Sequence, residues 1–173
     1  MIGPITSEKP PAESTHPSAE DGAELHDLLP FTIGEQTFAV FTDQIDATVE
    51  ARPVARLPRA PAAVVGVVCV RGRMLTVLDA SVILQANEQQ WTQTLPFVIV
   101  LRGDEQVGLV AETCRDTVTI SAEDIEPPKS VGNSDPPVAL GTVTHGGESV
   151  IILDAARLFR CAVQRRERRR RRF

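Results

Sequence analysis

A chain of 173 residues with 42% hydrophobic side chains can fill one core of about 140 residues plus tails. Its net charge of −5 hides a split: Arg165, Arg166, Arg168, Arg169, Arg170, Arg171 and Arg172, less Glu167, give +6, so the remaining residues carry −11. An acidic body with a basic tail argues against a domain that binds nucleic acid through its main surface. Three cysteines, Cys69, Cys114 and Cys161, have no CxxC spacing and signal neither a disulfide framework nor a zinc site. The start, MIGPITSEKPP, lacks the apolar core of a signal peptide, and no apolar run approaches the roughly 18 residues a membrane helix needs. A cytoplasmic protein is expected.

Residues 1–24 are rich in Pro, Ser, Thr, Glu and Ala and read as a disordered leader. Order is expected from Leu25, where Leu28, Leu29, Phe31 and Ile33 lead into Gly34-Glu35-Gln36 and alternation resumes over Thr37 to Phe41, the pattern of a hairpin. Thr42 to Glu50, with Ile45 and Val49 four residues apart, suits a helical turn or a twisted strand end. Arg52 to Pro61 holds three prolines, which remove backbone donors, and reads as an extended surface connector. A hairpin is expected next, with strands Val64 to Val70 and Met74 to Leu78 joined by Arg71-Gly72, followed by a short helix over Ser81 to Gln85 capped by Asp79. After a polar loop from Asn87 to Gln93 come a hairpin of Phe97 to Leu101 and Val107 to Ala111, a strand through Thr117 to Ile120, and a capped turn at Ser121. Pro127 to Pro137 has loop composition. A last hairpin precedes a helix starting at Asp154, with Leu158, Cys161 and Ala162 on one face.

One stretch occurs twice. A shift of 75 residues lays Pro136 to Phe159 over Pro61 to Leu84, matching Gly141 to Gly66, Gly147 to Gly72 and Leu153-Asp154-Ala155 to Leu78-Asp79-Ala80. A duplicated all-β unit follows, with two small barrels in one domain spanning residues 25–163 and an Arg-rich tail at 164–173.

No catalytic constellation stands out. His16, His26 and His145 fall in the leader, at its edge and in a turn; Asp79 and Asp154 are better read as helix caps than as an acid and base pair; and neither a GxSxG context nor a phosphate loop is present. No enzyme activity, catalytic residue, metal, cofactor or small-molecule substrate is expected. The turn Arg71-Gly72-Arg73 is singled out as a displayed guanidinium that could pair with a partner's carboxylate.

FTIGEQTFAV, PAAVVGVVCVRGRMLTVLDAS, FVIVLRGDEQVGLVAE, SAEDIEP and VALGTVTHGGESVIILDAARLF together resemble the CheW family of bacterial chemotaxis adaptors, from about Leu25 to Ala162. The most specific block is Gly66, Val67, Arg71, Gly72 and Asp79. The resemblance implies two intertwined five-stranded barrels with short helices, including a C-terminal one. It also implies a scaffold that binds the regulatory domain of a CheA-type histidine kinase and the cytoplasmic tip of a chemoreceptor in arrays at the inner membrane. Carried over by position, it assigns Gly66, Arg71 and Gly72 to the kinase surface and Ile45, Cys114, Thr117 and Val118 to a receptor-binding groove. Cys69, Thr76 and Thr117 depart from the family's usual Asn, Pro and apolar residue. The competing reading is a barrel that binds nucleic acid or another anionic surface through RRERRRRRF; the absence of Tyr and the acidic body weigh against it.

Overall fold

The computed structural model describes residues 22–86, 90–103, 105–128 and 138–170, without the side chains of 163–170. The leader up to 21, the centre of the loop at 87–89, most of the loop at 129–137 and the last residues, 171–173, lie outside the described part. The described chain is mainly β, in two sheets.

The first hairpin is β1 (Leu25–Ile33) and β2 (Gln36–Phe41), with Leu28 opposite Phe41 and Ile33 opposite Gln36. Thr42 to Glu50 holds both alternatives that its pattern left open: a 3-10 turn at Thr42–Gln44 runs into strand β3 (Ile45–Pro53). β3 corrects the expected connector, because Arg52 and Pro53 still pair with Leu95 and Thr94. Pro53 is tolerated there because it ends the strand. β4 (Val64–Val70) and β5 (Arg73–Leu78) form the first repeat hairpin and lead into helix α1 (Ala80–Ile83). β6 (Thr94–Leu101) and β7 (Val107–Ala111) follow, then β8 (Thr113–Cys114), β9 (Val118–Ser121) and a second 3-10 turn at Ala122–Asp124. β8 was not foreseen. The second repeat copy supplies β10 (Ala139–His145), β11 (Glu148–Leu153) and helix α2 (Ala155–Arg170).

One sheet has the order β3-β6-β7-β5-β4, the other β10-β11-β2-β1 with β8 and β9 both on the far edge of β1. The sheets match strand for strand: β5 runs parallel to β7 as β11 runs parallel to β2, and the pair β8 and β9 takes the place of β3. The first barrel is continuous in sequence from β3 to β7. The second closes only because the N-terminal hairpin returns between β11 and β9, which is what intertwines the two.

Strand alternation explains the core. Val150 and Ile152 point into the second barrel with Leu28, Ala39 and Val143, while Ile151 and Leu153 point the other way into a core shared by both barrels. In the first barrel Val98, Val100, Leu75, Val77 and Val110 fill the interior, and Ile99, Leu101, Leu78 and Leu109 face the shared core. Strands covered on both faces must be apolar at successive positions, hence the runs Phe97 to Leu101 and Val150 to Leu153. Leu158 and Ala162 of α2 complete the shared core, as the helical spacing predicted.

Candidate functional site

Arg71 and Gly72 form the two-residue turn between β4 and β5, both in the left-handed region with φ of 50° and 77°. Val70 pairs with Arg73 directly behind them, so this is the hairpin turn whose twist suits the strands. The matching turn of the second barrel is Gly146-Gly147. A non-glycine residue there costs roughly 1 kcal/mol, a cost the chain accepts at Arg71 and avoids at Gly146. Arg71 is exposed and makes no hydrogen bond or ion pair among the described residues.

Gly66 is buried on β4, the strand that runs into this turn, and pairs with Val77. A Cβ on it would sit 2.5 Å from the carbonyl oxygen of Ala55 and 2.6 Å from Val54 Cγ2. Ala55 and Val67 exchange backbone hydrogen bonds, both 2.8 Å, so the chain after β3 is laced onto β4 where Gly66 leaves room. Gly141 repeats this in the second barrel, where a Cβ would meet Ile125 Cγ2 at 2.5 Å and Glu126 O at 2.6 Å, beside the exchange between Glu126 and Thr142. The duplicated glycines are therefore close-approach positions that close each barrel.

Asp79 is 1% exposed. Its Oδ1 accepts from Ser81 N at 2.9 Å and Ser81 Oγ at 2.5 Å, and its Oδ2 accepts from Trp91 Nε1 at 2.7 Å. Asp154 caps α2 through Ala156 N at 3.0 Å and pairs with Arg157 Nε at 3.0 Å. Capping is the work of both aspartates. Sequence reasoning missed Trp91, whose backbone carbonyl also accepts from Arg56 and whose ring packs against both the first barrel's interior and the shared core. A lone tryptophan in a polar stretch was the available signal.

The groove candidates separate. Ile45 pairs with Leu101 and Cys114 with Phe31, equivalent places in the two sheets, and both half-buried side chains pack on the shared core. They rim the junction between the barrels. Burial, reinforced by the charge of Glu50, pushes the Cys114 thiol up to about 11. Val118 pairs with Leu28 and packs on the interior of the second barrel, and Thr117 is exposed. Among the tail arginines, the backbone of α2 continues through Arg170; the side chains of Arg165, Arg166, Arg168, Arg169 and Arg170, with all of Arg171 and Arg172, lie outside the description.

Two surface ion pairs sit at matching positions with their signs exchanged. Arg73 on β5 lies 3.9 Å from Asp46, whereas Glu148 on β11 accepts from Arg115 at 2.7 Å. The Arg115 hydrogen bond, then its charge, holds the Glu148 carboxyl below the usual range, with Thr37 Oγ1 donating to the same oxygen. The fold is duplicated; the charge is not.

A family model for the CheW-like domain matches residues 27–162. The chain belongs to that family. Relatives include a chemotaxis protein CheW of Rhizobium meliloti, 28% identical over 137 residues, covering 77% of this chain and 86% of that protein. Protein FrzA of Myxococcus xanthus is also 28% identical over 137 residues, with 78% and 86% covered. The fold is that of the scaffolding protein TtCheW from Thermoanaerobacter tengcongensis, with a TM-score of 0.67 at 18% identity over 79% of this chain and 93% of that one. Members of the CheW family are non-enzymatic adaptors of chemotaxis signalling, and the chain is an adaptor of this kind. No helix among the described residues is long and apolar enough to cross a membrane.

Proposed function

We propose that the chain couples the regulatory domain of a CheA-type histidine kinase to the cytoplasmic tip of a chemoreceptor, and that receptor arrays at the inner membrane are where it works. In this reading the kinase meets the Arg71-Gly72 end of the first barrel, with Gly66 holding the adjoining chain in place, and the receptor helix lies along the junction rimmed by Ile45 and Cys114. The observation that carries it is Arg71, an unpaired guanidinium fixed at a left-handed turn where the matching turn has glycine. Held on a rigid hairpin, it loses little freedom on pairing with a carboxylate. The receptor assignment rests on the half-buried, apolar rim continuous with the shared core, a surface suited to an apolar helix face.

The test is separation of function. Arg71→Ala should weaken kinase binding by about 2 kcal/mol, roughly thirtyfold, and leave receptor binding intact. Ile45→Asp should do the reverse. Both variants must melt near the wild type, since an Ile45→Asp protein that unfolds reports only on the core. Two folded variants that keep both partners would remove these assignments.

A further inference from the structure

Charge is unevenly placed along this chain. Residues 1–50 hold ten carboxylates and a single lysine, whereas residues 51–78 hold five arginines, Arg52, Arg56, Arg59, Arg71 and Arg73, and no acid. Arg73 faces Asp46, and Arg71 stands at the turn that ends β4. The other three fall in the eight residues that end β3 and lead toward β4. Arg52 Nε is buried without a hydrogen-bond partner, and Arg59 is exposed and makes no hydrogen bond or ion pair among the described residues. Arg56 donates to the carbonyl of Trp91, and Leu57 beside it is 46% exposed. The backbone beneath is fixed by the exchange between Ala55 and Val67 and by the Val54 N bond to Gln93 O at 2.9 Å. The matching passage of the second barrel, laced on at Gly141, carries Glu123, Asp124 and Glu126 instead, so the fold itself makes no demand for arginine there.

Three arginines around an exposed leucine, on a fixed backbone with no acid nearby in sequence, fit an acidic segment that also carries an apolar side chain. The chain contains one. The leader, residues 1–21, holds Glu8, Glu13, Glu20 and Asp21 against Lys9, and its branched apolar side chains are Ile2 and Ile5. It joins the body at Gly22, beside Glu24, Asp27, Glu123 and Asp124, whose like charge repels it. β1 runs about 20 Å from Leu25 to Phe31, which pairs with Cys114, and Cys114 feels the charge of Glu50, two residues short of Arg52. Crossing to Arg52 therefore takes about 30 Å. Glu20 and Asp21 are too near Gly22 for that, but Glu13 lies nine residues away and Glu8 fourteen, reaches of about 30 Å and about 48 Å for an extended chain. We infer that residues 5–13 of the leader dock on this passage of the same molecule, Glu8 and Glu13 pairing with Arg52, Arg56 and Arg59 while Ile5 covers Leu57. Each contact is weak alone, but a tether this short holds an effective concentration in the millimolar range. The docked leader covers the start of β4 and leaves Arg71, at its end, free.

Trp91, the chain's single tryptophan, reports on the site because Arg56 holds its carbonyl. Its fluorescence is quenched in the full chain by iodide, an anion, and by acrylamide, which is neutral, at constant, near-physiological ionic strength. Freeing the arginines draws iodide toward Trp91, so Glu8→Lys with Glu13→Lys should raise the iodide quenching constant at least twofold and leave the acrylamide constant unchanged. Glu20→Lys with Asp21→Lys makes the same change of net charge in a part of the leader that cannot reach, and should leave both constants at their wild-type values. Adding Arg59→Glu to the wild type and to the Glu8→Lys, Glu13→Lys chain should at least halve the difference between them. The difference should also be independent of protein concentration, as a contact within one molecule requires. Equal iodide constants for the two leader variants would reduce the effect to net charge and overturn the contact. An iodide constant that does not move in either variant overturns it too, as when the Arg-rich tail holds the leader instead. A rise seen only at high protein concentration would make the leader of a second copy the occupant and likewise overturn the inference.

Discussion

Gly66→Ala should be among the most damaging single-methyl additions to this chain. The new Cβ would lie 2.5 Å from Ala55 O and 3.1 Å from Ala55 C, which are backbone atoms fixed by the two 2.8 Å hydrogen bonds between Ala55 and Val67. Relief requires the chain after β3 to lift off β4, losing some or all of that exchange. Overpacking of this kind costs about 1–3 kcal/mol, and a φ of +156° adds strain for any residue with a Cβ, so a total of about 3 kcal/mol is expected. In a domain of this size that corresponds to a fall in melting temperature of roughly 10 °C. Gly141→Ala meets Glu126 O and Ile125 Cγ2 at similar distances without a positive φ, and should cost about 2 kcal/mol. Gly146→Ala, with nothing within 4 Å, carries only the left-handed penalty of roughly 1 kcal/mol. Urea unfolding with a shared m-value measures all three. If Gly66→Ala unfolds within 0.5 kcal/mol of Gly146→Ala, the close-approach account of the duplicated glycines is wrong.

Three further outcomes are expected. Trp91→Phe keeps the ring but removes the donor to Asp79 Oδ2, leaving a buried carboxylate oxygen without that partner, and should cost about 1–3 kcal/mol in urea unfolding. Glu148 has its folded pKa below its unfolded value, so its contribution is present above the unfolded pKa and is lost as pH falls through the folded one; the stability difference between wild type and Glu148→Gln should therefore shrink on acidification below the normal carboxylate range, as melting curves at a series of pH values would record. Removing residues 165–173 should leave kinase and receptor binding unchanged and abolish any salt-sensitive attraction to DNA or anionic vesicles, measured by titration at low and physiological salt.

The architecture was legible because the shared core forces apolar residues at successive positions, so the strands stand out as runs, and because the duplicated Gly and Asp residues punctuate them. Two things were not legible. β8 is a two-residue strand, too short for any alternation to register, and it is seated by pairing with Phe31 and Thr32, far away in the chain. Arg52 and Pro53 looked like connector because proline lacks a donor, yet the end of an edge strand places no demand on that donor. In the candidate site, Arg71 was visible as the residue ahead of a turn glycine. That Val118 turns into a barrel while Cys114 reaches the junction depends on the break between β8 and β9, which no residue pattern announces. The exchange of charge between the matching ion pairs likewise required the three-dimensional equivalence of Asp46 with Arg115, outside the repeated stretch.

The central claim is that one molecule holds kinase and receptor together, and a ternary complex tests it most directly. The full chain, the kinase regulatory domain and a receptor cytoplasmic fragment, mixed in equal amounts, should co-migrate in sedimentation as a single species. Removing the chain should leave a mixture in which kinase domain and receptor fragment associate more weakly. Displacement of one partner by the other would contradict the account, because it would mean that both compete for a single surface.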